Sequence, residues 1–229
     1  VVTAKKHKVV DEYMPLMKKR GYSVHEINLS RPENSSDGFD PLAYTHSDSD
    51  VRDLAKTIVQ ISPDKHGTQD PYWDDAATSL ITAEILCPNE MWETCPECER
   101  RSQFPPSMED VLILHSQLRF SDSEKTGFTN SSLDYLFEAL ERKSPRSYAV
   151  SCWKSVSKLA SRTVSCIYST VSTAYNRLFT TQIREVMQKK QLDIRSLGDK
   201  SSALFITTSP VNKYAQAFTN LVYSAIFKE

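Results

Sequence analysis

The chain has 229 residues, 39% of them hydrophobic, and a formal net charge of −1. That is enough to bury a domain-sized core, and no apolar run approaches the roughly 20 residues a membrane-spanning helix needs. Five cysteines, odd in number and irregularly spaced, argue against a secreted disulfide framework and for a reducing compartment with free or metal-bound thiols.

The first residue is Val1 rather than Met, and Val1-Val2-Thr3 reads as a strand end, so the chain is expected to be cut from a longer one. Val10 to Lys19 is predicted helical, stopped by Arg20-Gly21, and Tyr22 to Leu29 alternates as a strand does. Ser30 to Leu42, rich in Pro, Asn, Ser, Asp and Gly, is predicted to be a surface loop. Val51, Leu54, Ala55, Ile58 and Val59 then fall at i, i+3, i+4, i+7 and i+8, an amphipathic helix with Asp48 or Ser49 as cap and Ser62-Pro63 as terminator.

Asp70-Pro71 supplies a cap and a first-turn proline for a helix to about Leu86, with Trp73, Ala76, Ala77, Leu80 and Ile81 on its inner face. Ser107 to Asp110 resembles a capping box ahead of Val111, Leu112, Leu114 and Leu118, and Ser132 caps Leu133, Leu136, Phe137 and Leu140. The longest predicted helix begins near Tyr148, with Val156, Ala160, Val164, Ile167, Val171, Ala174 and Leu178 as a seam that would run through the centre of a bundle. Its other faces are crowded with Ser and Thr, indifferent helix formers, so packing must hold it. Ala203 to Thr208 is a continuous apolar strand of the kind covered on both faces, and a last helix carries Tyr214, Phe218, Leu221, Val222 and Ile226. Two strands near opposite ends, separated by a long helical stretch, imply a mainly α protein: an all-α bundle inserted in a partial α/β sheet.

The near-neutral total charge conceals blocks. Residues 1–20 carry +4, 21–141 carry −15, 142–200 carry +9 and the last 29 carry +1. Either the blocks neutralise each other by packing, or they mark partners of opposite sign.

Gly21-Tyr22-x-Val24, Asn28-Leu29, Ser36-Asp37, Pro41-Leu42, Asp50-Val51, Asp70-Pro71-Tyr72-Trp73 and the segment from Leu192 to Phe205 resemble, in order and spacing, the type IV secretion coupling proteins, the membrane ATPases of conjugation. The resembling stretch lies between that family's two nucleotide motifs. The resemblance implies a RecA-like P-loop ATPase sheet at residues 1–45 and 197–229, and an all-α domain at about 46–196. It also implies a hexameric, membrane-anchored parent on the cytoplasmic face of the bacterial plasma membrane, fed with ATP and Mg²⁺. The all-α domain would engage a relaxase, effector or adaptor protein, or DNA; the chain itself is expected to be monomeric.

The departures matter equally. No G-x-x-x-x-G-K-[ST] occurs and only five glycines are present, so no ATP hydrolysis is expected from this chain alone. Where the family shows Asp-Pro-Lys-Gly-Glu, this chain has Ala4-Lys5-Lys6-His7-Lys8, without either acid.

Cys87 with Cys95 and Cys98 is the one candidate metal cluster, three thiolates that could staple a loop around structural zinc, with His115 as a candidate fourth ligand; a lone redox pair and plain reduced thiols are the alternatives. Cys152 and Cys166 read as small buried hydrophobes. Five histidines with abundant Ser and Asp allow a triad on paper, but no Gly-x-Ser-x-Gly elbow supports it. Two functions of different class follow. One is protein recruitment, the acidic block suiting a basic tail; the other is direct DNA binding through Lys154, Lys158 and Arg162, four apart on one face of the long helix. Recruitment is preferred because the basic block lacks interleaved exposed aromatics.

Overall fold

The computed structural model describes residues 2–4, 7–61, 71–94, 105–118, 132–199, 201–209 and 211–228. It divides into two compact units, one formed by Val1–Tyr44 with Arg177–Glu229 and the other by Thr45–Asn176.

In the first unit, strands β1 (Val2–Ala4), β2 (Ser23–Asn28) and β3 (Ser202–Thr207) form a sheet in the order β1-β3-β2. Both pairings are parallel, β2 and β3 in register from Ser23↔Ser202 to Asn28↔Thr207. The two extended segments expected from opposite ends of the chain therefore lie side by side. β3 sits in the middle and is buried from Leu204 to Thr207, which accounts for its unbroken apolar run. Helix α1 (His7–Lys19) covers one face, packing Val10, Met14 and Met17 against Phe205, Val24 and Ala203. It ends in a Schellman motif: Gly21, at φ 83°, donates to the carbonyl of Lys18 and Tyr22 to that of Met17.

β2 is an edge strand sealed by the loop that follows it. Ser35 Oγ accepts from the Asn28 amide at 2.6 Å and Ser36 Oγ from the Glu26 amide at 2.8 Å, while the amides of Ser36 and Asp37 donate back to the Glu26 carbonyl. Beyond it, Gly38 passes so close to the backbone of Val186 and Lys189 that a Cβ would sit 2.6 Å from either carbonyl oxygen. This contact, the Leu192 amide donating to the Gly38 carbonyl, and the Tyr44 hydroxyl donating to the Leu192 carbonyl at 2.6 Å hold the strand-free segment after helix α8 (Thr181–Met187) to the sheet unit. Residues 177–196, read from sequence as part of the helical region, are thus grouped with the sheet. The short α9 (Ser196–Asp199) leads into β3, and α10 (Lys213–Lys228) buries Phe218, Leu221 and Val222.

In the second unit every described element is a helix: α2 (Asp48–Gln60), α3 (Pro71–Thr94), α4 (Met108–Ser116), α5 (Ser132–Lys143), α6 (Tyr148–Ser157) and most of α7 (Ser161–Leu178). α2 buries the five apolar residues its spacing predicts, though its cap is Ser47, not Asp48 or Ser49. The Ser107 capping box forms with Asp110.

Three expectations fail. The predicted long helix is two helices, α6 and α7, separated at Lys158–Ala160, where the Leu159 amide turns back to the Val156 carbonyl and Val164 restarts on Ala160. Ala160, assigned to the seam, is exposed. Its Ser/Thr-rich flanks have little propensity of their own, so packing decides where the helix runs, and packing is interrupted there. The central helix is instead α3, against which α2, α4, α5 and α6 pack. From Ala77 to Cys87 it buries Leu80, Ile81, Ala83, Ile85 and Leu86, residues on every side of the helix. It also continues past the expected end at Leu86, through Pro88 to Thr94.

Candidate docking site in the helical unit

α5 ends in a tight turn, with the Ser144 amide on the Leu140 carbonyl and the Ser147 amide on Ser144. Ser147 then caps α6, its hydroxyl accepting from the Val150 amide at 3.1 Å. This turn faces the start of α2 and the far half of α3, and together they line an open surface cavity of about 580 Å³, with Asp48, Glu90, Ser144, Arg146, Ser147 and Tyr148 among its walls. Arg52 Nη1 donates to the Tyr148 hydroxyl at 2.9 Å and fixes that wall. Burial raises the Tyr148 phenol above its ordinary range, reinforced by neighbouring Cys152 and opposed by Arg52. The depression therefore presents two carboxylates, a guanidinium and hydroxyls amid apolar surface, groups able to pair with charged and polar side chains.

Of the three candidate zinc thiols, only Cys87 lies among the described residues. α3 runs straight through it, and Cys87 is fully buried, its thiol pushed up to about 12 by burial and then by Glu90. Cys95 and Cys98 lie outside the described residues, and no group of three His, Cys, Asp or Glu fit for a metal occurs among those described. His115 is buried and held by Glu84 and Ser172. Cys152 is buried, as expected, but on α6; Cys166 on α7 is exposed, since its position points away from the Val164, Ile167 and Val171 seam.

The basic face is also dispersed. Lys154 on α6 is bonded to Glu141 of α5, Lys158 is exposed at the C-cap of α6, and Arg162 is exposed in the first turn of α7. The break between the helices removes the single face on which the three were placed. At the sheet, Ala4 lies opposite Thr207 at the end of β1 and offers no carboxylate.

The family described as type IV secretory system conjugative DNA transfer matches residues 1–229. The chain belongs to this coupling-protein family. Among solved structures, the bacterial conjugative coupling protein TrwBdeltaN70, in its unbound monoclinic form, is similar at 16% identity and a TM-score of 0.46, the match covering 99% of this chain and 50% of that one. This family member thus spans half the length of the solved coupling protein. No curated protein matches the chain. No helix among its described residues is long and apolar enough to cross a membrane.

Sequence reasoning missed the pairing of Arg52 with Tyr148 and the grouping of Glu84, Ser172 and Tyr175 around His115, which it named only as a candidate metal ligand. The latter did leave one signal: Glu84 is the only charged residue in Leu80-Ile81-Thr82-Ala83-Glu84-Ile85-Leu86, and a lone acid in an apolar helix requires buried partners.

Proposed function

We propose that the helical unit is a substrate-recruitment module, an all-α insertion in the motor domain of a conjugation coupling ATPase, which docks a relaxase, effector or adaptor protein at the Asp48/Glu90 cavity. The observation that carries this reading is a helical unit, compact in its own right, with a charged cavity between three of its helices, in a chain of the conjugative DNA transfer family. Hydrolysis of ATP belongs to the whole coupling protein, hexameric and anchored at the cytoplasmic face of the membrane; this chain has no phosphate loop to perform it. The acidic pair favours a basic segment of the substrate, because opposite charge steers encounter and fixes orientation.

The test is titration of the full chain with the relaxase of the same conjugation system, read by calorimetry. Asp48→Lys with Glu90→Lys should weaken binding at least tenfold while leaving the circular dichroism spectrum unchanged. Equal affinity for wild type and variant sinks the reading. Binding of double-stranded DNA instead, weakened steeply by salt and by Lys158→Glu with Arg162→Glu, would make the basic residues the docking surface.

A further inference from the structure

Glu84 on α3, His115 on α4 and Ser172 on α7 stand in a row in the helical unit. His115 Nδ1 lies 2.8 Å from Glu84 Oε1, and His115 Nε2 lies 2.8 Å from Ser172 Oγ. Glu84 is 0% exposed, and its second oxygen accepts from the Tyr175 hydroxyl at 3.0 Å. Tyr168 stacks on the imidazole at 4.5 Å and Tyr175 meets it edge-on at 5.0 Å, packing the ring on two sides. A carboxylate only accepts; in the neutral imidazole Nδ1 must then carry the hydrogen, and Nε2 is left to accept from the Ser172 hydroxyl.

Ser172 differs from its neighbours in this respect. Ser165, Thr170 and Thr173 turn their hydroxyls back onto helix carbonyls four residues earlier, the usual resting place of such groups. Ser172, half-buried, points its hydroxyl to His115.

We propose that Ser172 is a nucleophilic acceptor site for small activated acyl or phosphonyl electrophiles, with His115 as its base and Glu84 as the positioning residue that holds the base in its accepting tautomer. Nucleophile, base and orienting group are within hydrogen-bond reach in the order such chemistry requires. With a fluorophosphonate, Ser172 Oγ forms the O–P bond, fluoride leaves with the P–F electron pair, and the hydroxyl proton passes to His115 Nε2. Ser172 lies in the interior of α7, where backbone N–H groups are engaged along the helix, so no pair of free amides is available to stabilise an oxyanion. The site should therefore take up one equivalent and stop rather than turn over.

The experiment is incubation of the full chain with a fluorophosphonate probe, followed by mass spectrometry of its peptides over time. Modification confined to Ser172, absent in Ser172→Ala and slowed at least about 100-fold in His115→Gln, is expected, since a positioned base contributes on the order of 10²–10⁴. Glu84→Gln should slow it comparably with the fold intact, because the amide can donate to Nδ1 and force the hydrogen onto Nε2. Circular dichroism melts of each variant separate loss of base from loss of fold, and Glu84→Gln decides the matter if His115→Gln unfolds. Labelling no faster than in the urea-unfolded chain, or equal rates in wild type and Glu84→Gln, would overturn the proposal.

Discussion

Two buried polar sites, one in each unit, are satisfied by different means. Around β2, the sheet unit satisfies buried or half-buried backbone with side chains close in sequence, Ser36 reaching Glu26 and Ser35 reaching Asn28. Asn28 itself, fully buried, accepts from the amides of Ser30 and Arg31. The helical unit satisfies Glu84 only with side chains from other helices, 31 and 91 residues away. Local partners form wherever the loop forms, whereas distant ones exist only when the bundle is assembled. Removing one member should therefore cost little in the first arrangement and much in the second.

The largest expected effect is in the helical unit. Glu84→Ala strips the acceptor from both His115 and Tyr175 in a dry site, and should lower stability by about 3–5 kcal/mol in urea titration. Native-state hydrogen exchange should place the loss in α3, α4 and α7, and a change below about 1 kcal/mol would erase the contrast between the units. In the sheet unit the most severe single-atom change is Gly38→Ala, which drives a Cβ against two carbonyl oxygens at 2.6 Å. Overpacking of this kind costs about 1–3 kcal/mol, and exchange should rise along residues 186–192 and leave α3 protected.

The thiols sharpen the comparison chemically. Cys87, held at about 12 by burial against an ordinary 9.0, should resist iodoacetamide in the native chain at pH 8, while exposed Cys166 reacts. Because the folded-state value is the higher, the thiol's contribution to stability is complete below about pH 9 and is lost as pH rises toward 12. Rapid native alkylation of Cys87 would mean that α3 opens locally. The smallest effect is expected at the end of β3, where the Thr207 and Thr208 hydroxyls are buried without a partner among the described residues. Thr208→Val removes an unsatisfied group at nearly constant volume and should be neutral or stabilising by less than about 1 kcal/mol; a clear loss in thermal melts would show that the hydroxyl is in use.

Much of this molecule could be read directly. The Gly21 stop, the β2 alternation, the apolar β3, the amphipathic α2 and the Ser107 capping box each depend on a few consecutive residues, and each forms where its pattern lies. The family likeness was carried by ordered short motifs, and the match over the whole chain agrees with it. The candidate sites were less legible. Cys87 looked like a loop ligand because the helix was expected to end near Leu86, but α3, buried on all sides up to Cys87, runs on through Pro88, a tertiary gain larger than the cost of one missing hydrogen bond. Lys154, Lys158 and Arg162 looked collinear because a four-residue spacing was extended across a break that packing, not propensity, created.

Periodicity and capping chemistry, local properties of the chain, were thus sufficient to determine that strands lie near both ends, that helices fill the interval, and which faces of most helices are buried. Which helix is central, where the serine-rich segment breaks, and that Glu84, His115 and Ser172 meet were decided only by the assembled bundle. The reason is physical: a lone buried carboxylate is unfavourable until its donors arrive from other helices, and no window of sequence contains all three.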